Sequence, residues 1–151
     1  MTPSHKKALL KHLHAILDNK IAVAKGNIAS IEESRDGETK SSAGDKYETG
    51  RAMAEIELDN ANRQLSLNQN LKTDLNRVKI EQNNEISGFG SLILTTSGNY
   101  LIAIGLGEVK VEGDSYFCIS PGSPIGELLV GKKEGEKVSF RDKEIKIEKI
   151  I

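Results

Sequence analysis

The spacing of the apolar residues changes once along this chain of 151 residues, near residue 85. Before that point, apolar side chains recur every three or four residues, which is typical of helices with one buried stripe. After it, they occur in short β-branched and aromatic runs separated by glycine-containing turns, which is typical of strands. The chain therefore has to combine long helices with a small sheet, and we expect an α+β protein.

Two long helices are predicted within residues 1–82. The first begins near Pro3, where a missing N–H costs nothing, and ends near Ile31. The second runs from about Asp45 to Val78, after the connecting loop "EESRDGETKSSAG". Helices of similar length joined by one loop should fold back into an antiparallel coiled-coil hairpin. The two stripes consist of Leu10, Leu13, Leu17, Ile21, Ala24, Ile28 and Ile31, and of Ala54, Leu58, Ala61, Leu65, Leu71, Leu75 and Val78.

Residues 86–151 are predicted to form a second, smaller domain. The runs "SLILTT", "YLIAIGLG", "VKV", "SYFCIS", "KVSF" and "EIKIEKII" are separated by turn signals and predict an antiparallel sheet. One short helix interrupts the strands. Ser123 can cap it, Pro124 suits its first position, and Gly131 suits its end.

Composition excludes several classes of protein. With one cysteine, Cys118, the chain can form no internal disulfide, and a reducing, cytoplasmic compartment is expected. Cys118 lies within "YFCIS" and is interpreted as a buried strand residue rather than a nucleophile. No run approaches the roughly 20 apolar residues that a membrane-spanning helix needs, and the N-terminal stretch is too polar for a signal peptide. No membrane partner is expected.

The charges are unevenly distributed although the formal net charge is only -1. Residues 1–31 carry five lysines and one acid, whereas residues 32–48 carry six acids and three basic residues. We therefore expect an acidic hairpin tip near residues 32–48. Lys6, Lys7 and Lys11 form a basic flank that would favour nucleic acid or an acidic protein surface, or would simply be solvated.

The tip contains two carboxylates three residues apart, Asp45 and Glu48. One interpretation is helix capping, because an acid at the start of a helix followed by Glu three residues later is a variant of the capping box. The other is metal binding, because this spacing places both carboxylates on one helix face, where they could share magnesium. Two carboxylates are too few to hold magnesium tightly, so another molecule would have to complete such a site.

The acidic-tipped hairpin followed by "SPGSPIGELLVGKKEGEKVSF" resembles the Gre family of bacterial transcript cleavage factors. The resemblance implies an FKBP-like fold for residues 86–151 and a hairpin that enters the secondary channel of bacterial RNA polymerase. Asp45-Lys46-Tyr47-Glu48 matches the D-x-x-E spacing of the family's tip, which implies that Asp45 and Glu48 help to hold a magnesium ion shared with the polymerase. The family's tip usually continues as E-N-A-E-Y after the first acid, whereas Glu48 is followed here by Thr49, Gly50 and Arg51.

The resemblance implies a transcription elongation factor that stimulates cleavage of backtracked RNA and is not an enzyme alone. It implies no tightly bound cofactor, no small-molecule substrate, and only indirect contact with nascent RNA and DNA. The segment that would dock on the polymerase contains Ser123, Pro124, Ile125, Gly126 and Leu129. Three alternatives remain open: an inhibitory occupant of the same channel, a prolyl isomerase or chaperone of FKBP-like fold, and a structural coiled-coil adaptor.

Overall fold

The computed structural model describes residues 1–38, 44–82 and 85–151 and confirms the α+β class. The chain forms two compact units, residues 15–72, here called the hairpin unit, and residues 1–14 with 73–151, here called the sheet unit. The predicted domains, 1–82 and 86–151, follow instead the change from helices to strands. The elements are α1 (Pro3–Glu38), α2 (Gly44–Asn76), β1 (Leu92–Thr95), β2 (Gly98–Ile102), β3 (Gly107–Val111), β4 (Asp114–Ile119), α3 (Pro124–Leu129), β5 (Lys137–Phe140) and β6 (Lys143–Ile150).

Within the hairpin unit, α1 and α2 run antiparallel. The Lys72 ammonium forms a salt bridge with the Asp18 carboxylate. Nearer the C-terminus of α1, Asn27 of that helix and Ala61 of α2 line one groove. Beyond it, residues 30–34 of α1 face residues 50–57 of α2 across a second groove. Residue numbers thus rise along α1 as they fall along the facing part of α2. Of the predicted stripe residues within this unit, Leu17, Ala24 and Ala54 are buried.

The sheet unit contains six strands in the order β3-β4-β2-β1-β6-β5. Neighbouring strands are antiparallel except β2 and β4, which run parallel with Leu101 opposite Cys118. The parallel pair arises because β3 forms a hairpin with β4 at the outer edge, so that β4 returns beside β2 in the same direction. Alternating apolar residues fix which face of a strand is buried, but they do not fix the direction of its neighbour.

One face of the sheet packs against α3. Six buried residues form this core, and all are aliphatic: Ile93, Ile102, Leu129, Val138, Ile145 and Ile147. Tyr100 and Phe117 stack at its margin with ring centroids 5.4 Å apart. Burying about six aliphatic side chains stabilises a fold by roughly 1.5 to 3 kcal/mol each before the loss of chain entropy is subtracted.

The opposite face of the sheet is covered by the start of α1. Leu92, Leu101 and Cys118 share this face and are essentially inaccessible to solvent. The Tyr116 hydroxyl on the same face donates to Met1 Sδ at 3.7 Å, and Leu9, Leu13 and Lys6 of α1 are fully buried. The sheet is therefore sandwiched between two helical segments, one of which belongs to α1.

Candidate functional site

The predicted acidic tip lies where α1 ends and α2 begins. Asp45 belongs to α2, whose first residue is Gly44, but its side chain and the loop residues 39–43 lie outside the described part of the structure. The Glu48 side chain is exposed. Because residues 30–34 of α1 face residues 50–57 of α2, the exposed acids Glu32 and Glu33 are at the same end of the hairpin as Glu48.

Two arginines moderate the negative charge at this end. Arg35 forms an ion pair of 3.5 Å with Asp36, whose side chain is 71% exposed. Arg51 forms an i,i+4 ion pair of 3.6 Å with Glu55. Exposed pairs of this kind contribute about 0.5 kcal/mol to stability, so they orient side chains more than they hold the fold together. The two ion pairs thus engage Asp36 of α1 and Glu55 of α2.

The described side chains at the tip supply only part of the ligands that a magnesium ion needs. Glu48 supplies an exposed carboxylate, which is the kind of ligand that magnesium prefers. Among the side chains that the structure describes, which do not include those of Glu38 and Asp45, no group of three His, Cys, Asp or Glu residues is arranged to hold a metal ion. The pairing of Asp45 with Glu48 around magnesium therefore stays a prediction, and its remaining ligands would have to come from another molecule.

The predicted docking segment is built around a well-capped helix. The Ser123 hydroxyl accepts a hydrogen bond from the Gly126 amide at 3.1 Å and donates one to the Ser120 carbonyl oxygen at 2.7 Å. Pro124 occupies the first turn, as the sequence predicted. The hydroxyl therefore satisfies an amide that the helix itself leaves without a partner.

The five residues of this segment differ in accessibility. Pro124 is exposed, Ser123 and Ile125 are half-buried, and Gly126 and Leu129 are buried. A β-carbon at Gly126 would lie 2.1 Å from the Ser120 carbonyl oxygen, so this position accepts no side chain without a backbone shift. Only the exposed part of the segment can contact a partner directly in this conformation, while Gly126 and Leu129 set its shape.

Ser87 ties the end of α3 to the segment that precedes the sheet. Its hydroxyl donates to the Leu129 carbonyl oxygen and accepts from the Lys132 amide at 2.9 Å. Its main chain exchanges two further hydrogen bonds of 2.8 Å, with the Lys132 carbonyl oxygen and the Gly131 amide. Sequence reasoning missed Ser87 because a serine in an irregular segment carries no periodic signal, and its partners lie more than 40 positions away.

The basic flank divides into one buried and two exposed lysines. Lys7 and Lys11 are exposed. Lys6 is completely buried and donates from Nζ to the main-chain oxygen of Ile151 at 3.2 Å. Burial disfavours the charged ammonium and lowers the pKa of Lys6 from 10.5 to about 8. Lys6 is thus part of the contact between α1 and the sheet, and the surface charge of the flank comes from Lys7 and Lys11.

Cys118 is an inert part of the sheet. It is buried on the face covered by α1, and burial raises the pKa of its thiol to about 12. A thiol with such a pKa stays protonated at neutral pH and is a poor nucleophile. This agrees with its interpretation as a strand residue.

No family model matches the chain, and a search of curated proteins finds no match. None of the described helices is long and apolar enough to cross a membrane.

Proposed function

We propose that this protein is a Gre-type transcription elongation factor that binds bacterial RNA polymerase and stimulates cleavage of backtracked RNA. The observation that carries the proposal is the acidic end of the antiparallel hairpin, where exposed Glu48 at the start of α2 lies at the same end as the acids that finish α1. The protein supplies acidic ligands to the polymerase's active centre and is not an enzyme by itself. We propose a cytoplasmic location, as for its partner.

The dimensions of the hairpin suit a probe that reaches into a channel. α2 contains 33 residues, which corresponds to a rod of about 50 Å at a rise of 1.5 Å per residue. Most side chains on the outside of the hairpin are polar, as a surface that enters a water-filled channel requires. Its acidic end would repel RNA phosphates unless a cation lay between them, which favours a metal-bridged contact.

At the tip, Glu48 and Asp45, one helical turn before it, would hold the magnesium ion through their carboxylate oxygens. A bound magnesium ion would activate water for hydrolysis of the RNA. The polymerase's carboxylates and the RNA phosphate provide the ligands that the described residues of this chain do not. Glu48 and Asp45 thus act by positioning, and their loss should reduce cleavage far more than binding.

The sheet unit is the proposed docking module. Pro124 and Glu127 are exposed on α3, and Val130 just after it is 37% exposed. These side chains offer a small mixed surface held rigidly by the Ser123 cap and by the Ser87 hydrogen bonds. A rigid surface loses little conformational entropy on binding, which suits a docking role.

The prolyl isomerase alternative has less support. Isomerases of FKBP-like fold use an aromatic-lined pocket, but in the sheet unit Tyr116 is buried under α1 and Tyr100 stacks on Phe117. A cleft of about 260 Å³ in this unit is lined by Pro3, Ile80, Glu81, Gln82 and Ile151, none of which is aromatic. A peptide isomerisation assay at catalytic protein concentrations should therefore show no acceleration.

The proposal is tested with stalled, backtracked elongation complexes of a bacterial polymerase, incubated in magnesium with and without the full chain. RNA shortened from its 3′ end only when the protein is present supports a cleavage factor. Intact RNA with slower elongation would instead identify an inhibitory occupant of the channel, which the Thr49-Gly50 departure at the tip makes a real competitor. If the protein neither binds polymerase nor alters RNA length or elongation rate, the proposal is wrong.

A further inference from the structure

A groove runs along one side of the hairpin unit, between α1 and α2. Its largest section encloses about 450 Å³ and is lined by two alanines, Ala24 and Ala61, which are too small to fill the space between the helices. Two further sections follow towards the tip. Asn27 lines both the first and the second section, and Glu57 lines both the second and the third. The three sections therefore form one continuous groove.

Asn68 lies in the seam, the line of contact between α1 and α2, where an apolar residue is expected. Ala54, Ala61 and Leu75 occupy the equivalent positions of α2 at intervals of seven residues. Asn68 is only 8% exposed and lines the largest section of the groove. Its side-chain amide forms no hydrogen bond with any residue that the structure describes, and it stays accessible from the groove. A buried amide without a partner is destabilising, and a ligand that supplied the missing hydrogen bonds would remove that cost.

Further amide side chains follow on both walls of the groove. Asn60 and Gln64 precede Asn68 on α2 at intervals of four residues, which corresponds to about 6 Å between successive amides along the helix. Asn19 and Asn27 line the α1 wall. These four side chains are exposed, so they form the rim above the buried Asn68. Each amide offers donors and an acceptor, and the groove can therefore make hydrogen bonds to both kinds of group on a ligand.

The charged residues that line the groove balance each other. Lys20 lies in the section farthest from the tip, and Glu57 lies nearer the tip. A nucleic acid binds mainly through several lysines and arginines on its phosphates, and one lysine with one glutamate does not provide them. The groove instead suits a neutral ligand that carries alternating hydrogen-bond donors and acceptors.

We infer that this groove binds an extended, uncharged peptide segment through its main chain. An extended chain presents N–H and C=O groups to both sides and repeats every two residues, or about 6.6 Å, which is close to the spacing of the amides on α2. Residues 19 to 34 of α1 line the groove over about 22 Å, the length of about seven extended residues. Main-chain recognition of this kind tolerates many sequences. The inference does not rest on the proposed function, because the groove lies along the side of the hairpin and is present without polymerase.

The first test uses an acetylated, fluorescein-labelled heptapeptide, Thr-Val-Thr-Ser-Thr-Val-Thr, whose β-branched residues favour an extended chain. Fluorescence anisotropy with increasing concentrations of the full chain should show saturable binding with a Kd of about 100 µM. The same peptide N-methylated at every second residue keeps its side chains and dye but loses half of its N–H donors. It should bind about tenfold more weakly or worse. Equal binding of the two peptides, or no binding of the first at about 1 mM protein, would overturn the inference.

The second test locates the site with variants of α2. Asn68→Leu places an apolar side chain in the seam, so it should raise the melting temperature while weakening peptide binding about tenfold or more. A merely structural role of Asn68 would not give these opposite effects. Asn60→Ala with Gln64→Ala removes two exposed rim amides and should also weaken binding, without depending on the repacking of the seam.

The matched control is Asn62→Ala with Asn70→Ala, which removes two exposed amides from the far side of the same helix. This variant should bind the peptide like the wild type. Equal affinities of the rim variant and the control would contradict the proposed site. Tighter binding of a labelled oligothymidylate of seven nucleotides than of the peptide would identify nucleic acid as the occupant and would also overturn the inference.

Discussion

The sheet unit and the hairpin unit bury their apolar residues to very different degrees. In the sheet, Leu92, Ile93 and Leu101 are completely inaccessible to solvent. In the hairpin unit, many seam positions of α2, such as Leu58 and Leu65, are only half-buried, and large apolar side chains remain on its surface. The difference indicates that the sheet unit contributes most of the stability of the chain. The hairpin is a two-helix layer with little interior, so most of its side chains are available for contacts with other molecules.

The largest effect that this comparison predicts comes from replacing one leucine by alanine in each unit. Leu129→Ala removes a fully buried side chain from the core under α3 and should lower the free energy of unfolding by about 3 kcal/mol. Leu67→Ala in the hairpin removes a side chain that is 56% exposed and should change it by less than about 0.5 kcal/mol. Urea denaturation followed by circular dichroism measures both. Equal losses for the two variants would show that the contrast between the units is wrong.

A second contrast lies within the sheet unit, between Gly126 of the proposed docking segment and Gly122, which precedes that segment. Gly126→Ala forces a methyl group to within 2.1 Å of the Ser120 carbonyl oxygen and should cost about 2 kcal/mol or more. Gly122→Ala is the control, because a β-carbon there meets no atom within 4 Å. The same denaturation experiment compares them. If the Gly126→Ala protein is as stable as the Gly122→Ala protein, the backbone around Ser120 must move away from the added methyl group at little energetic cost.

The burial of Lys6 predicts a pH dependence of stability. Its pKa is lowered from 10.5 to about 8 in the folded protein, so below about pH 8 the group is protonated in both states. Between about pH 8 and pH 10.5 the unfolded chain binds more protons at Lys6 than the folded protein does. The free energy of unfolding therefore rises with pH in this range. From about pH 7 to about pH 9.5 the gain attributable to Lys6 should be about 2 kcal/mol.

Lys6→Met should remove this rise, whereas Lys7→Met, one position along the helix at an exposed side chain, should keep it. Free energies of unfolding of the three proteins at both pH values make the comparison. If wild type and Lys6→Met respond equally to pH, Lys6 does not remain buried against the sheet.

The smallest effect concerns two hairpin turns of the sheet. Arg141 and Asp142, between β5 and β6, both have positive φ, at 52° and 62°, which is unfavourable for residues with a side chain. The β3–β4 turn has the same kind of backbone but places Gly113 second, at φ 88°. Asp142→Gly should therefore stabilise the protein by about 0.5 kcal/mol, and Gly113→Ala should destabilise it by about 1 kcal/mol. Melting temperatures that shift in the opposite directions would contradict this account of the turns.

The local elements could be predicted from the sequence because their signals are local. Apolar spacing indicated both long helices and the positions of the strands, and Ser123 with Pro124 marked the start of α3. The packing of the first 14 residues on the sheet could not be predicted in this way. The stripe through Leu10 and Leu13 shows that a face is buried, but periodicity does not say what buries it.

The candidate site was predictable to a similar extent. The spacing of Asp45 and Glu48 placed both residues at the start of one helix, and α2 does begin at Gly44. The separation of Lys6 from its exposed neighbours, and the role of Ser87, depend on contacts between residues far apart in sequence. Such contacts are set by the tertiary fold, so a single sequence carries no direct sign of them.

The central claim is that Asp45 and Glu48 together support RNA cleavage by the polymerase. The most direct test measures the rate of RNA shortening in backtracked complexes with wild type, with Asp45→Asn/Glu48→Gln, and with Asp59→Asn/Asp74→Asn. The last variant removes the same two charges from the same helix, away from the tip. We predict that the tip variant loses stimulated cleavage while its affinity for polymerase changes by no more than a few fold, and that the control retains activity. Unchanged cleavage by the tip variant, or equal loss in both variants, would contradict the claim.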